Sequence, residues 1–206
     1  MNKMKNIIQF CFKNTEINRK LLHALFGLFV VSIYHCNESF VKNTLIALAF
    51  LIISFDYSIK KFITNDHLKT LIYRKSELSD KNKKSGAFWF GLGIFCSVIF
   101  FTKKYYMPAM LILSFCDALS SIIGRRFGKT KLFQTQKSFQ GMLGFLLGGV
   151  FVIPLAVMAD VNIAIYALGL TILTCSILEI IESIDDNFSI LLGGTISMAF
   201  FSSIFF

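Results

Sequence analysis

Seven long apolar runs separated by charged segments constrain this chain more than any other feature. The runs cover residues 20–37, 44–60, 87–102, 105–123, 141–159, 161–182 and 188–206. A helix needs about 20 apolar residues to cross a bilayer, and 55% of the 206 residues are hydrophobic, more than one soluble core of this length would bury. The sequence predicts an all-α fold, a polytopic membrane helix bundle of about seven transmembrane helices.

The chain shows no internal repeat, low-complexity tract or Pro/Gly-rich linker, so residues 1–206 are predicted to form a single integral membrane domain. Its five cysteines are scattered without a CxxC pair. They are therefore interpreted as small core residues rather than as disulfide partners or zinc ligands.

Lys and Arg alternate between the segments that flank the runs. From the N-terminal segment onward their numbers are 5, 1, 8, 2, 5, 0 and 0. Cytoplasmic loops carry the excess of Lys and Arg, so the N-terminus is predicted to be cytoplasmic, in the inner membrane if the cell is bacterial. The same clustering explains the net charge of +9, and no nucleic-acid partner is expected.

Asp117 lies inside the apolar run YYMPAMLILSFCDALSSIIG. An ionisable group there indicates function, because burial without a partner costs several kcal/mol. At helical spacing it shares one stripe with Ser114, Ser120, Ser121 and Gly124, which predicts that this face points to the bundle interior. The alternative is a structural Asp that bonds a neighbouring helix.

The segment GRRFGKTKLFQTQKSFQG follows this stripe directly. Glycines allow close approach of a backbone to a ligand, and Arg and Lys bind phosphate oxygens. The pattern favours a polyphosphate-binding loop, although it lacks the P-loop spacing. A basic loop that contacts anionic lipid is the alternative. The residues concerned are Gly124, Arg125, Arg126, Gly128, Lys129, Lys131, Lys137 and Gly141.

Acidic residues gather at the end of the sixth run, in LTCSILEIIESIDDNF. Thr171, Cys175, Glu179, Glu182 and Asp186 are predicted to share one helical face. Carboxylates without nearby Lys or Arg repel one another unless a cation is present, and Mg²⁺ is the obvious candidate. Glu179 and Asp186 are the favoured ligands, whereas Glu182 and Asp185 fit a solvated helix end.

The first run begins NRKLLHALFG, which places Arg19, His23 and Gly27 at a spacing of four. His23 would transfer a proton or anchor the helix at the membrane interface. This segment, the basic loop and the acidic helix end are all predicted on the cytoplasmic side. Cations, carboxylates and glycines at one surface suit phosphoryl transfer, which depends on positioning and charge neutralisation.

FCDALSSIIGRRFGKTKLF and QKSFQG together resemble the core pattern of the CTP-dependent lipid kinases, which include dolichol, phytol and diacylglycerol kinases. RKLLH resembles the Arg-Lys-x-x-His element of that family, and Glu179 followed by DDNF resembles its late Glu…Asp-Asn element. The likeness runs from Arg19 to Asn187. Three positions depart from the pattern: Cys116 replaces a Gly, Gln140 replaces a Glu, and Met142 replaces a small hydroxyl residue.

The resemblance implies transfer of the γ-phosphate of CTP to a membrane-embedded alcohol, with Mg²⁺ and within a membrane of lipids. It implies catalytic roles for Asp117, Lys137 and Glu179, and metal binding by Asp117, Glu179 and Asp186. It implies nucleotide binding by Gly124, Arg125, Gly128, Lys129, Ser138 and Gly141, and supporting roles for Arg19, His23 and Asn187. Asp56 matches a further acidic position.

An isoprenoid alcohol of the polyprenol, dolichol or phytol type is the expected substrate, because the Phe-rich runs would line a groove for a long tail. Diacylglycerol kinase activity, or a cytidylyltransferase that forms a CDP-lipid, is the alternative among enzymes. A non-catalytic membrane protein or transporter is the alternative of another class. Loss of the Glu at position 140 is the feature that favours it.

Overall fold

The computed structural model describes residues 15–62, 84–132, 135, 137–158, 165–181 and 185–205, and all their side chains except those at 15–19, 21, 59–62, 158 and 205. Within this part of the chain the regular structure is helical, apart from an isolated antiparallel bridge between Lys131 and Ser138. The all-α prediction is therefore confirmed.

The helices follow the apolar runs in order. They are α1 (Thr15–Ile33), α2 (Glu38–Phe62), α3 (Gly86–Phe100), α4 (Lys103–Leu111), α5 (Asp117–Phe127), α6 (Phe139–Met158), α7 (Ile165–Ile180) and α8 (Asp186–Phe205). A π-helical turn, Ile112–Cys116, joins α4 to α5, so that these two helices form one continuous span.

Four helical stretches in the described residues are long and apolar enough to cross a membrane. They are Glu38–Ser58, Lys103–Phe127, Phe139–Val157 and Asp186–Ile204. The other three runs contain shorter apolar helices, Leu22–Ile33, Gly86–Phe100 and Ile165–Ile180. A helix occupies each predicted run, whereas the number of seven spans and the cytoplasmic N-terminus stay predictions.

The span from α4 through α5 is the centre of the bundle. In the most apolar stretch of this span 67% of the residues are buried, whereas in that of α2 17% are buried. Met107, Met110, Ile112 and Leu113 are fully buried in it, and the π-helical turn packs against α1, α6 and α8. By contrast, α2 exposes large side chains such as Phe50, Leu51 and Phe55, as expected of a helix that faces lipid.

Glycines allow the central span and α6 to pack with their backbones almost in contact. A Cβ on Gly148 would lie 2.5 Å from Cys116 Cα, and one on Gly144 would lie 3.0 Å from the carbonyl oxygen of Leu119. Small residues at such positions are how membrane helices approach closely. The spacing of Gly144 and Gly148 therefore serves packing within the bundle.

Four cysteines lie in the described residues, and all four are free thiols. Cys116 and Cys175 are fully buried, whereas Cys36 and Cys96 are half-buried. The prediction of unpaired cysteines is confirmed for these four, and Cys11 lies outside the described residues.

Candidate active site

Asp117, the first residue of α5, is fully buried and forms an ion pair with Lys20 of α1. His23 Nδ1 lies 3.7 Å from Asp117 Oδ2, and the ring of His23 stacks on Phe90 at 5.1 Å between centroids. Removal of one partner from such a buried pair typically costs about 3–5 kcal/mol, because an uncompensated charge remains. The pair therefore fixes α1 against the central span.

Lys20 was missed as a site residue by sequence reasoning. It is 4% exposed and stands three residues before His23, so the two side chains share a helix face. The Arg-Lys-x-x-His element contains Lys20 and could have identified it. The spacing of four residues from His23 favoured Arg19 instead. The side chain of Arg19 lies outside the described residues. Gly27 serves packing, because a Cβ there would lie 2.7 Å from Ser114 Cβ.

The second carboxylate oxygen of Asp117 has a different environment from the first. Oδ1 is buried and has no hydrogen-bond partner among the described residues. A buried acceptor without a partner is costly, and such groups require an explanation such as a catalytic role or a bound ion. Asp117 thus presents one oxygen to Lys20 and keeps the other available.

A second polar cluster lies one turn further along α5. Ser120 Oγ donates a hydrogen bond of 2.6 Å to Glu179 Oε1, near the end of α7. Lys137 Nζ lies 3.2 Å from the same oxygen and 2.6 Å from Asp186 Oδ2, at the start of α8. Because Asp117 and Ser120 share a helix face, the two clusters line one side of α5.

Lys137 belongs to the loop between α5 and α6, outside the helices. Burial alone would lower its pKa, but the charges of Glu179, Asp186 and Asp117 outweigh that effect and raise the pKa above the ordinary lysine value. Lys137 is therefore a permanent cation held between two carboxylates.

The remaining predicted loop residues fall into two groups. Arg125 and Lys129 are exposed, and their charges are accessible to a ligand at the surface. Gly124 and Gly141 lie against each other, since a Cβ on Gly124 would be 3.3 Å from Gly141 Cα. Ser138 Oγ accepts a hydrogen bond of 3.1 Å from Gly141 N and so caps α6.

The prediction that Glu179 and Asp186 share one face of a single helix is wrong. α7 ends at Ile180, and Asp186 is the first residue of α8. Asp185 begins this new helix as its N-cap, because its Oδ1 accepts a hydrogen bond of 3.0 Å from Asn187 N. Asp186 reaches the site from α8 instead, and Glu182 lies outside the described residues.

Asn187 and Asp56 hold the start of α3. Asn187 is buried, and its Nδ2 donates a hydrogen bond of 3.0 Å to the carbonyl oxygen of Gly86. Ser85 Oγ donates one of 2.6 Å to Asp56 Oδ1 and caps the helix through Phe88 N. Both residues therefore position α3, whose Phe90 supports His23.

The described side chains contain no group of three His, Cys, Asp or Glu that would hold a metal ion by itself. Mg²⁺ usually takes one or two carboxylates together with waters and substrate phosphates. Asp117 Oδ1 supplies a carboxylate oxygen of that kind, whereas Lys137 already contacts Glu179 and Asp186. The residues fit a cation shared with bound phosphates, and Mg²⁺ stays a prediction.

Comparison with known proteins gives three curated relatives, each a protein named CTP-dependent diacylglycerol kinase 1. The Schizosaccharomyces pombe protein is 29% identical over 147 residues, which are 68% of this chain and 66% of that protein. The Eremothecium gossypii protein is 27% identical over 66% of this chain and 44% of its own length. The Saccharomyces cerevisiae protein is 29% identical over 66% of this chain and 48% of its own length.

These matches confirm the resemblance to CTP-dependent lipid kinases inferred from the motifs. The aligned part of the chain spans from 44% to 66% of the length of these relatives. No family model matches the chain. No solved structure matches it either.

Proposed function

We propose that this chain is a membrane-bound CTP-dependent kinase that transfers the γ-phosphate of CTP to the hydroxyl of diacylglycerol. The observation that carries the proposal is the match to three proteins named for this activity. The arrangement of Asp117, Lys137, Glu179 and Asp186 at adjoining helix ends supports it, because phosphoryl transfer relies on positioned charges more than on a special nucleophile.

Diacylglycerol replaces the isoprenoid alcohol as the favoured substrate. The isoprenoid prediction depended on the Phe-rich runs, but several of those side chains, such as Phe50 and Phe55, are exposed on α2 and fit contact with lipid in general. The names of the relatives favour the diacylglycerol alternative over the isoprenoid. Both alcohols would reach the site from within the membrane.

The reaction joins the lipid hydroxyl oxygen to the γ-phosphorus of CTP and breaks the bond between that phosphorus and the β–γ bridging oxygen, so that CDP leaves. We assign the hydroxyl proton to the available Oδ1 of Asp117. Lys20 holds the carboxylate of Asp117 in place through Oδ2. Such acid–base assistance typically contributes 10²–10⁴-fold to the rate.

The phosphates of CTP would be bound by the cations around the loop. Lys137 would exchange part of its contact with Asp186 for a phosphate oxygen, and the exposed Arg125 and Lys129 would bind the outer oxygens. Mg²⁺, held by the phosphates, by Glu179 and by the Asp186 oxygen that Lys137 releases, would neutralise the charge that develops on the phosphates. We place this site on the cytoplasmic side, because Lys and Arg are concentrated in the flanking segments.

The test is phosphoryl transfer in detergent or vesicles. Purified protein receives γ-labelled CTP, ATP or GTP together with diacylglycerol, polyprenol, dolichol or phytol, beside an Asp117→Asn variant. We expect label on diacylglycerol from CTP alone, and a loss of at least about hundredfold in the variant. Label on a prenol instead would restore the isoprenoid prediction.

Two further outcomes separate the remaining alternatives. Transfer of label from α-labelled CTP to an added lipid phosphate would indicate a cytidylyltransferase, since that enzyme joins the CMP part to a lipid phosphate and releases pyrophosphate. No label on any lipid, from protein that elutes as a single folded species with Mg²⁺ present, would contradict the proposal and favour a non-catalytic membrane protein.

A further inference from the structure

The turn that follows α5 is fastened to the first turn of α6 by one side chain, that of Gln140. Its Oε1 accepts hydrogen bonds from the backbone N–H groups of Lys129 and Thr130, each at 3.2 Å. Its Nε2 donates one of 3.4 Å to Thr130 Oγ1. All three contacts go to one turn, so the amide acts as a clamp between the loop and the helix.

This clamp lies beside the residues that cap α6. A Cβ on Gly128 would lie 2.6 Å from Ser138 Oγ, and the carbonyl oxygen of Thr130 accepts a hydrogen bond of 2.9 Å from Phe139 N. Ser138 follows Lys137, which binds Glu179 and Asp186. The turn, the cap and the half-buried Lys137 therefore form one connected segment.

The same contacts determine which groups of the turn remain for a ligand. The backbone N–H groups of Lys129 and Thr130 are engaged by Gln140, whereas the side chain of Lys129 is exposed. A phosphate at this turn would meet the ammonium group of Lys129 rather than a backbone cradle. The direction of that ammonium group depends on the turn that carries it.

We propose that Gln140 is a positioning residue, which fixes the turn Gly128–Thr130 so that Lys129 meets the phosphates of the nucleotide. The inference rests on the proposed kinase function. It requires an acceptor oxygen at position 140 but no charge, and an amide and a carboxylate both supply that acceptor. Gln140, the departure that favours a non-catalytic protein, is therefore compatible with activity.

Kinetics of matched variants test the clamp. Gln140→Leu removes all three contacts, Gln140→Glu keeps the acceptor, and Ser203→Ala, on the exposed end of α8, is the control. For Gln140→Leu we expect KM for CTP to rise about tenfold with kcat within threefold, because two hydrogen bonds to the turn are lost. Gln140→Glu should stay within threefold of the parent in both constants.

A fall in kcat with unchanged KM in Gln140→Leu would overturn the proposal, and so would a Gln140→Glu variant as impaired as Gln140→Leu. Should Gln140→Leu fail to fold, Gln140→Asn replaces it. That variant keeps the amide but is one methylene shorter, and we expect the same rise in KM.

Limited trypsin digestion tests the clamp without any reference to activity. Lys129 and Lys131 are exposed, and a released turn would be cut faster after them. We expect cleavage at these two sites, followed by mass spectrometry, to be about tenfold faster in Gln140→Leu than in the parent, Gln140→Glu and Ser203→Ala. Equal rates would overturn the clamp. A parent that phosphorylates no lipid would instead overturn the proposed function, with the digestion result unaffected.

Discussion

The two charged clusters along α5 use the same chemistry in different surroundings. Around Asp117 the ion pair is sealed, since the side chain of Lys20 is 5% exposed and that of Asp117 is 0% exposed. Around Glu179 the carboxylate is equally buried, but Lys137 and Asp186 are 22% and 21% exposed. The first cluster joins two helices through one contact, whereas the second joins a loop to two helix ends.

The difference determines what each cluster can exchange. A sealed pair cannot lose one member without leaving a charge in a medium of low dielectric constant. A partly exposed lysine reaches water, so a phosphate oxygen can replace one of its carboxylate partners at a modest cost. We infer that the Asp117 cluster holds a fixed geometry and that the Lys137 cluster adjusts to the nucleotide.

The largest effect is expected from Lys20→Met, which leaves Asp117 buried and unpaired. The free energy of unfolding should fall by about 3–5 kcal/mol, and lipid phosphorylation should be lost. Thermal unfolding in detergent measures the first effect, with Lys42→Met as the control. The double variant Lys20→Met, Asp117→Leu should recover most of the stability and none of the activity. A single variant as stable as Lys42→Met would contradict a sealed pair.

A smaller loss of stability is expected from Lys137→Met, because water reaches this cluster. The free energy of unfolding should fall by about 1–2 kcal/mol, while activity with CTP falls about hundredfold through the loss of the phosphate contact. Lys42→Met is again the control. A loss of stability as large as that of Lys20→Met would show that the two clusters do not differ.

The smallest effect is expected from Ser120→Ala, which removes one neutral donor from Glu179. About 1 kcal/mol of stability should be lost, with a few-fold fall in activity. Ser121→Ala, the next residue on the same helix, is the matched control and should change neither quantity. Equal effects of the two substitutions would mean that the 2.6 Å contact of Ser120 with Glu179 does not orient the carboxylate.

Much of the fold was predictable from the sequence, because the bilayer imposes a simple rule on length and polarity. Each apolar run contains a helix, and Asp117 is buried as its surroundings predicted. The π-helical turn was not predictable, since its residues Ile112–Cys116 read as ordinary apolar helix. Neither was the new helix at Asp186, which depends on the cap that Asp185 forms.

The partners of the charged residues were the least predictable part of the candidate site. Arg125 and Lys137 are near Asp117 in sequence, but its partner Lys20 lies 97 residues away. A pairing of this kind is decided by how α1 packs on the central span, and Gly27 permits that close approach. Periodicity gives the face of each helix, but it does not give the helix that the face will meet.

A π-helical turn contains one residue more than the α-helical path it interrupts. Deletion of a single residue between Ile112 and Cys116 would therefore return the span to uniform α-helix and leave α4 and Asp117 in nearly the same rotational register. Deletion of a residue from α4 or α5 would instead rotate the two parts of the span against each other by about 100°. Lys20 could not follow that rotation, because α1 packs against the π-helical turn at Ser114. The π-helical turn is thus where the central span can change its length by one residue and keep the ion pair of Asp117 with Lys20.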